Sequence, residues 1–500
     1  MQYLDAIMAA LDPFTLGINF IGVLVGMIVG ALPGLGSVVA ITICLPFTFG
    51  MNSVAAIAML LGVYCGSVCG GSISAVLINT PGTPQSAATA FDGFPMAQQG
   101  KGGKAIGWAL TASIFGGIFS CIILALAAPQ IARFALRFGP LETFALILMG
   151  LTCISSVSAG NQFKGLAMGL LGLIMACVGM SPFSSESRFT FGIFELNNGI
   201  DLVAVIVGVF ALAEVLDRVE RMIREKAEGE CASHQAALDL PRLADWKGRF
   251  VGLIKSSCIG TFIGILPGTG AATAAFLSYG EAKRSSPRRE NLGKGEPDGL
   301  IAAESSNNAV TGGAMVPTLA LGIPGDPVTA IMLATLTIHG LTPGVRLMEE
   351  NQVMVYSIFA VLGVANILML PACYITTKMF CQLLRIPEAL LMGFISVLCV
   401  LGSYGSRGNL FDIVVTVVAG VAAYFLRRLG FPAPPLVIGF VLGQQFEMSI
   451  GQMDMFRGDM SWLEYLVSSP IALVLFAVVA ALLIMPQISA YRSRKAARSA

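Results

Sequence analysis

The chain is 500 residues long, 55% hydrophobic and 12% charged, with a mean hydropathy of +0.80 and a formal net charge of +1. Soluble domains carry about 25% charged residues, so this composition excludes a large soluble enzyme and indicates an all-α polytopic membrane protein. Near-neutral charge gives no case for nucleic acid, the 2 histidines make no His-rich metal site, and the 11 cysteines, scattered through apolar spans, read as small core- or lipid-facing residues.

The start, MQYLDAIMAALDPF, has no positive n-region, so the first apolar stretch is expected to be retained rather than cleaved. Residues 18–31 and 37–50 are apolar runs of about 14 residues, shorter than the roughly 20 a bilayer requires. Between them lies GALPGLG, and the pair reads as a re-entrant hairpin with its tip at Pro33. Residues 54–97 form one crossing, interrupted at INTPGTPQ (78–85). Full spans are predicted at 105–128, 141–160, 163–181 and 200–216. A polar linker over 217–250 follows, containing the amphipathic stretch EVLDRVERMIREKAEGE.

The pattern then repeats. GILPGTG shares five of seven residues with GALPGLG and joins the short runs 251–265 and 270–281, a second hairpin with its tip at Pro267. Residues 299–345 form a crossing broken at LGIPGDPV (321–328). Further spans are predicted at 352–377, 389–406, 409–426, 432–447 and 467–486. The chain thus divides into an N-terminal repeat over 1–216, the linker, a C-terminal repeat over 251–447, and a last helix with a basic tail over 448–500.

Charge orients these pieces. The second hairpin lies between basic flanks, which the positive-inside tendency places in the cytoplasm. The first has no Lys or Arg before Lys101 and reads as entering from outside. Counting crossings then places 24 of 30 Lys and Arg inside, the exceptions being Arg133, Arg137, Arg188, Arg346, Arg407 and Arg457. Five crossings per half is odd, as inverted-topology repeats require.

Non-helical backbone survives in a membrane only where it is buried in protein or lines a wet cavity. Each break exposes carbonyls at one helix end, which attract cations, and N–H groups at the next, which attract anions. Paired breaks of this kind in two halves mark the substrate site of a secondary transporter, with four breaks meeting near mid-bilayer. The first tip supplies Pro33, Gly34, Gly36 and Ser37, and the break after it Asn79, Thr80, Gly82 and Thr83. The second tip supplies Pro267, Gly268, Thr269 and Gly270, and the last break Pro324, Gly325 and Asp326. Asn307 and Asn308, in the polar run ESSNNAVTGG that begins at Glu304, complete the expected site; that run either lines the path or joins helices. Thr83-Pro84 and Asp326-Pro327 look like N-caps followed by proline at the first helical position, so Asp326 is either an ion ligand or only a cap. Asp92 and Glu142 read as lying at the membrane–water interface. Carbonyls near Gly34, Asn79, Gly268 and Gly325 are the expected seats for a coupling cation, Na⁺ if not H⁺. Neither hairpin is read as holding an Arg or Lys, so an anion is expected to rest on helix N-termini and hydroxyls. Gly26, Gly30, Gly260 and Gly264 read as helix-packing positions.

There is no P-loop, no HExxH, no nucleophile elbow and no CxxCH, and no catalytic residues or organic cofactor are assigned. The rival classes are a membrane-embedded enzyme, which would need a nucleophile–base pair or paired carboxylates, and a passive channel or scaffold.

GALPGLG, GILPGTG, NTPGTP and AAESSNNAVTGGAMVPTLALGIPGDP resemble the large membrane subunit of the tripartite tricarboxylate transporters (TctA family) over essentially the whole chain. The resemblance implies a bacterial inner-membrane importer driven by an ion gradient, typically Na⁺. It also implies two partners, a small four-helix membrane subunit and a periplasmic solute-binding protein that delivers the substrate. Substrates of such systems are carboxylates, from citrate to aromatic acids, and elevator-like movement of the hairpins is what the resemblance suggests. Homodimerisation stays open.

Overall fold

The computed structural model describes residues 2–157, 162–184, 186–224 and 237–499. A short α1 (Gln2–Leu11) precedes α2 (Pro13–Ala31), α3 (Gly36–Cys44, extended by the 3-10 turn Leu45–Thr48) and α4 (Ser53–Ile78). After a 3-10 turn, Pro84–Ser86, come α5 (Ala87–Gln98), α6 (Gly102–Ala135), α7 (Pro140–Val157) and α8 (Gln162–Ala176). A two-residue antiparallel ladder pairs Gly179 with Arg188 and Met180 with Ser187. Then α9 (Leu202–Ile206), a π-helical stretch (Val207–Leu212) and α10 (Ala213–Arg224) run on as one rod.

The second half holds α11 (Phe250–Ile265), α12 (Gly270–Ser285), α13 (Pro297–Leu321), α14 (Pro327–Ile338) and the short α15 (Val345–Glu350). It continues with α16 (Gln352–Leu383), α17 (Glu388–Arg407), α18 (Leu410–Arg428), α19 (Ala433–Arg457), α20 (Trp462–Val467) and α21 (Pro470–Ser499). Among the described helices, α2, α4, α6, α16, α17 and α18 are long and apolar enough to cross a membrane. The protein is a multi-pass, all-α membrane protein.

All four expected breaks are present. Helix α2 gives way to α3 at Leu32–Leu35, α4 to α5 at 79–83, α11 to α12 at Leu266–Thr269, and α13 to α14 at 322–326. Gly34 and Gly268, at φ +82° and +85°, take the left-handed turn that stops each first arm.

Close approach of backbones explains the glycine content. A Cβ on Gly26 would stand 2.3 Å from the Val63 carbonyl oxygen, and one on Gly66 would stand 2.2 Å from that of Val23, so α2 and α4 interlock reciprocally. In the second half Gly260 meets the Ser306 carbonyl on α13 in the same way, at 2.2 Å. The halves are also exchanged: α6 lies along α13, and α16 lies along α4. Helices α4 and α13 are therefore buried along nearly their whole length, whereas α17 and α18 carry exposed apolar side chains such as Phe394 and Val418. In a membrane protein that outer face is where lipid sits.

Several boundaries differ from the sequence reading. Helix α2 has 19 residues, not 14, because Asp12 caps it through the Phe14 and Thr15 N–H groups at 3.1 and 3.2 Å and Pro13 is its first residue. By length α2 can cross a membrane, so a short first arm no longer marks this hairpin. The span expected to reach 181 ends at Ala176, shortly before the ladder begins at Gly179. The linker does not begin at 217: α10 continues to Arg224, and Arg218 is buried in it rather than solvated. Residues 225–236, the rest of the expected amphipathic stretch and His234, lie outside the described residues. Helix α19 passes the expected end at 447 and reaches Arg457.

Candidate functional site

Each broken crossing folds back on itself before its next helix begins. The Gly82 N–H donates to the Gly71 carbonyl at 3.3 Å, and Gly325 lies so close to Ala314 that a Cβ would stand 2.7 Å from its Cα. The spacing is the same in both halves, 11 residues. Each fold-back meets the hairpin of its own half: a Cβ on Gly82 would strike the carbonyl of Gly30, in the last turn of α2, at 1.9 Å, and at the second tip the Gly268 N–H donates to the Gly325 carbonyl at 2.8 Å. Across the halves, α3 touches α14 and α12 touches the turn Pro84–Ser86. The starts of four helices are thereby gathered into one region.

The two caps differ. Asp326 is a full N-cap, its Oδ1 accepting from the Thr329 N–H at 2.7 Å while Thr329 Oγ1 accepts from the Asp326 N–H at 2.9 Å. Its Oδ2 accepts a short hydrogen bond from the hydroxyl of Tyr64, on α4 of the other half. Thr83, expected to cap in the same way, does not. Its hydroxyl pairs with Ser86 Oγ at 2.9 Å, because the 3-10 turn directs the Ser86 N–H to the Thr83 carbonyl instead. Tyr64 precedes Thr83 by 19 residues, the interval by which Asn307 precedes Asp326. The equivalent positions therefore hold a phenol in one half and an amide in the other.

The remaining candidates distribute as follows. Ser37 is buried and accepts from Gln85 Nε2 at 3.2 Å, tying the first tip to the first break. Thr269 turns its hydroxyl back to the Ile263 and Leu266 carbonyls at 2.5 and 2.9 Å, stopping the end of α11 rather than facing a solute. Asn79, at φ 55°, and Thr80 are exposed, whereas 322–326 are buried. The first break is thus open and the second closed in. Gly36 and Gly270 take positive φ at the first residues of α3 and α12, and Pro33 and Pro267 sit at half-buried tips. Pro324 is buried within the second break.

The expectation that neither hairpin holds an Arg or Lys is wrong for the second, where Lys255 on α11 pairs with Glu281 on α12, and Arg218 brings a basic group to the first tip from outside its hairpin. From α10 its Nη2 donates to the Pro33 carbonyl at 2.5 Å, its Nη1 to Glu388 at 3.1 Å and its Nε to Glu214 at 3.3 Å. The reason is tertiary: the π-helical stretch that leads into α10 packs against α3, which brings the start of α10 to the tip, and a planar guanidinium serves three acceptors at once. The carbonyl next to Gly34, one of the expected cation seats, is thus engaged by an internal cation. The Gly325 carbonyl is likewise engaged by Gly268.

Asp92 and Glu142 are not exposed at an interface. Asp92 Oδ1 accepts from the Gly293, Gly295 and Glu296 N–H groups at 2.8, 2.9 and 2.8 Å, and Oδ2 accepts from the Tyr279 hydroxyl at 2.9 Å. It ties α5 to the loop that opens α13. Glu142 accepts from the Gly139 N–H at 2.7 Å and caps its own helix.

Along α13 the run Glu304–Asn308 is fully buried. The Thr89 hydroxyl donates to Glu304 Oε1, and the Ser113 hydroxyl to Oε2 at 2.9 Å. Asn308 Nδ2 donates to the Ser113 carbonyl at 3.1 Å. Asn307 Oδ1, the hydroxyls of Ser305 and Ser306, and Asn308 Oδ1 have no hydrogen-bond partner. Buried polar groups are normally satisfied, so a row of unpaired ones is a place built for something else. Sequence reasoning did not find Tyr64, Arg218, Thr89 or Ser113. The repeated 19-residue interval was the one available signal, and it points to Tyr64.

Two surface cavities, of about 490 and 570 Å³, lie elsewhere, around Lys101–Lys104 and around Tyr374–Arg385; none of the expected site residues lines either. Among the described residues no cluster of three or more His, Cys, Asp or Glu could hold a metal ion.

Comparison with known proteins supplies the context. The family model described as "Tripartite tricarboxylate transporter TctA family" matches residues 16–438. An Agrobacterium vitis protein described as "Uncharacterized 52.8 kDa protein in TAR-I ttuC' 3'region" is 35% identical over 487 residues, which is 97% of this chain and 96% of that one. A second from the same organism, "Uncharacterized protein in TAR-II ttuC' 3'region", is 31% identical over 237 residues, 47% of this chain and 97% of its own length. No solved structure matches.

Proposed function

Because the chain belongs to the tripartite tricarboxylate transporter TctA family, we propose that it is the permease that carries a carboxylate across the bacterial inner membrane on an ion gradient, with Na⁺ as the coupling ion. Membership makes it a membrane component of a transporter, not an enzyme. Such transporters also include a small membrane subunit and a periplasmic binding protein. In this reading the binding protein delivers the solute to the four gathered helix starts, whose N–H groups hold its carboxylates without a formal positive charge.

The observation that carries the proposal is the matched construction of the two breaks. Each folds back over the same interval, each meets the hairpin of its own half, and each second helix touches the other half. Irregular backbone at membrane depth survives only where it is buried in protein or lines a wet cavity, which argues against a mere scaffold. We read the halves as inverted-topology repeats with re-entrant hairpins, and the ion pairs support that orientation. Lys104 pairs with Asp245, Arg427 with Glu214 and Arg218 with Glu388, all between segments assigned to the cytoplasm. Arg188 pairs with Glu447 and Arg407 with Asp201, between segments assigned outside. None of these five pairs joins a segment assigned to one face with one assigned to the other.

The test is uptake of radiolabelled citrate into proteoliposomes holding this chain and its two partners, with an imposed Na⁺ gradient. Accumulation above the equilibrium level is expected. Gly268→Ala, which forces a side chain into a left-handed turn at about 1–2 kcal/mol, is expected to insert and yet not transport. Downhill equilibration alone, indifferent to Na⁺, would make the protein a passive pore.

A further inference from the structure

Glu304 is a carboxylate buried without a countercharge. It is wholly inaccessible, and its protein partners are the Thr89 and Ser113 hydroxyls. No Lys, Arg or His pairs with it among the described residues. The nearest titratable groups are Cys69 on α4 and Cys373 on α16, both uncharged as thiols. An isolated carboxylate in such a setting costs several kcal/mol unless something positive joins it.

A second observation shows what joins it. Asn307 is one turn further along α13 and shares the Glu304 face. Its fully buried amide bears on the carboxylate through a hydrogen-bonding contact, which only Nδ2 can donate, and its Oδ1 has no partner. The carboxylate, the two hydroxyl oxygens and the unpartnered amide oxygen one turn along α13 are a set of hard oxygen donors. Hard donors of this kind take alkali or alkaline-earth ions rather than transition metals. One carboxylate balances one positive charge, and no other carboxylate is among the groups that bear on Glu304, which disfavours a divalent ion.

We propose that Glu304, Asn307, Thr89 and Ser113 form a site for a monovalent cation, Na⁺ being the probe, at the junction of α5, α6 and α13. This site is separate from the carbonyls of the breaks. It draws on both halves, because Thr89 and Ser113 precede the linker and Glu304 and Asn307 follow it. It also has no equivalent in the first half: Leu61 precedes Thr83 by the interval that separates Glu304 from Asp326. Thr89 lies in the first turn of α5, directly after the first break. A cation here would fix the position of that helix start, so the site deepens the permease reading by coupling ion occupancy to the geometry of one break, and it rests on that reading.

The experiment measures ²²Na⁺ binding to the purified full-length chain in detergent, without partners or substrate, at constant ionic strength with choline as the replacement ion. Thermal unfolding in NaCl against choline chloride is followed in parallel. Saturable Na⁺ binding and a Na⁺-dependent rise in Tm are expected for the wild type. Glu304→Gln, nearly isosteric, is expected to lose one bound Na⁺ while its Tm in choline is maintained or raised. Thr89→Val and Asn307→Ala are expected to weaken that site tenfold or more. The proposal is overturned if Glu304→Gln binds Na⁺ with wild-type stoichiometry and affinity, or if the wild type binds none and Glu304 is neutralised by a proton alone. Because no transport is measured, failure here is distinct from failure of the permease reading, which shows as absence of Na⁺-driven uptake by the complete assembly.

Discussion

Asp326→Asn separates the two roles this residue can play. As an N-cap, asparagine is about as good as aspartate, so α14 should still begin at Pro327 with the Thr329 N–H satisfied. What the substitution removes is the charge and the charged acceptor for Tyr64. A hydrogen bond to a charged group contributes about 1.5–3 kcal/mol and a neutral one about 1, so the expected loss of stability is about 1–2 kcal/mol. Asp326→Ala is different in kind. It costs about 1 kcal/mol for the cap and leaves the Tyr64 hydroxyl and a backbone N–H buried and unpaired, at about 1–3 kcal/mol each. Unfolding temperature and monodispersity in detergent rank the three proteins, and Na⁺-driven citrate uptake in proteoliposomes measures function. We expect Asn to fold with a small loss of stability and to transport nothing, and Ala to be clearly less stable. An Asn variant that transports at the wild-type rate would refute the functional role and reduce Asp326 to a helix cap.

Other expectations follow from the packing. Gly26→Ala places a methyl 2.3 Å from the Val63 carbonyl, so α2 must separate from α4, and a lower yield of folded protein with a reduced Tm is expected. Gly17→Ala, with open space around it, is the matched control and should change neither. Asp92→Ala strands three backbone N–H groups and the Tyr279 hydroxyl, at about 1–3 kcal/mol for each that water cannot reach; its Tm should fall well below that of Asp92→Asn, which keeps an acceptor. Outside the spans, the Ser461 N–H and hydroxyl hold the Glu464 carboxyl below its ordinary value. A depressed carboxylate stabilises above its unfolded pKa and loses that contribution as pH falls through the folded one. The start of α20 should therefore loosen only at acid pH, below the usual carboxylate range. Emission of the adjacent Trp462, compared between wild type and Glu464→Gln from pH 7 downwards, should differ at neutral pH and converge in acid; a constant difference would contradict the assignment.

Much of this protein was legible in the sequence because its main constraints are local. A Pro-Gly pair inside an apolar run must break a helix whatever surrounds it, since proline lacks the N–H and glycine alone takes the left-handed turn easily. All four breaks, the positive φ of Gly34 and Gly268, and the Asp326 cap were readable on that ground. Glycines spaced four apart likewise announced a close helix contact before its partner was known. Helix ends were less legible, because Asp12 reads as polar flank until it is seen to cap α2, and because α10 carries its charges on the end of a buried rod.

What only the tertiary structure decided is which side chains meet. Tyr64 stands in an apolar helix with nothing local to mark it, and it reaches Asp326 because the two halves exchange helices across their junction. Arg218 lies in a basic stretch that reads as solvated, and it serves the Pro33 carbonyl because the π-helical stretch leading into α10 packs against α3. Glu304 was visible as a carboxylate in a membrane segment, but its lack of a countercharge is a property of α4, α5, α6 and α16 together. The physical reason is common to all three: backbone conformation is set by a few neighbouring residues, whereas electrostatic and hydrogen-bond partnership in a low-dielectric interior depends on groups hundreds of residues apart along the chain.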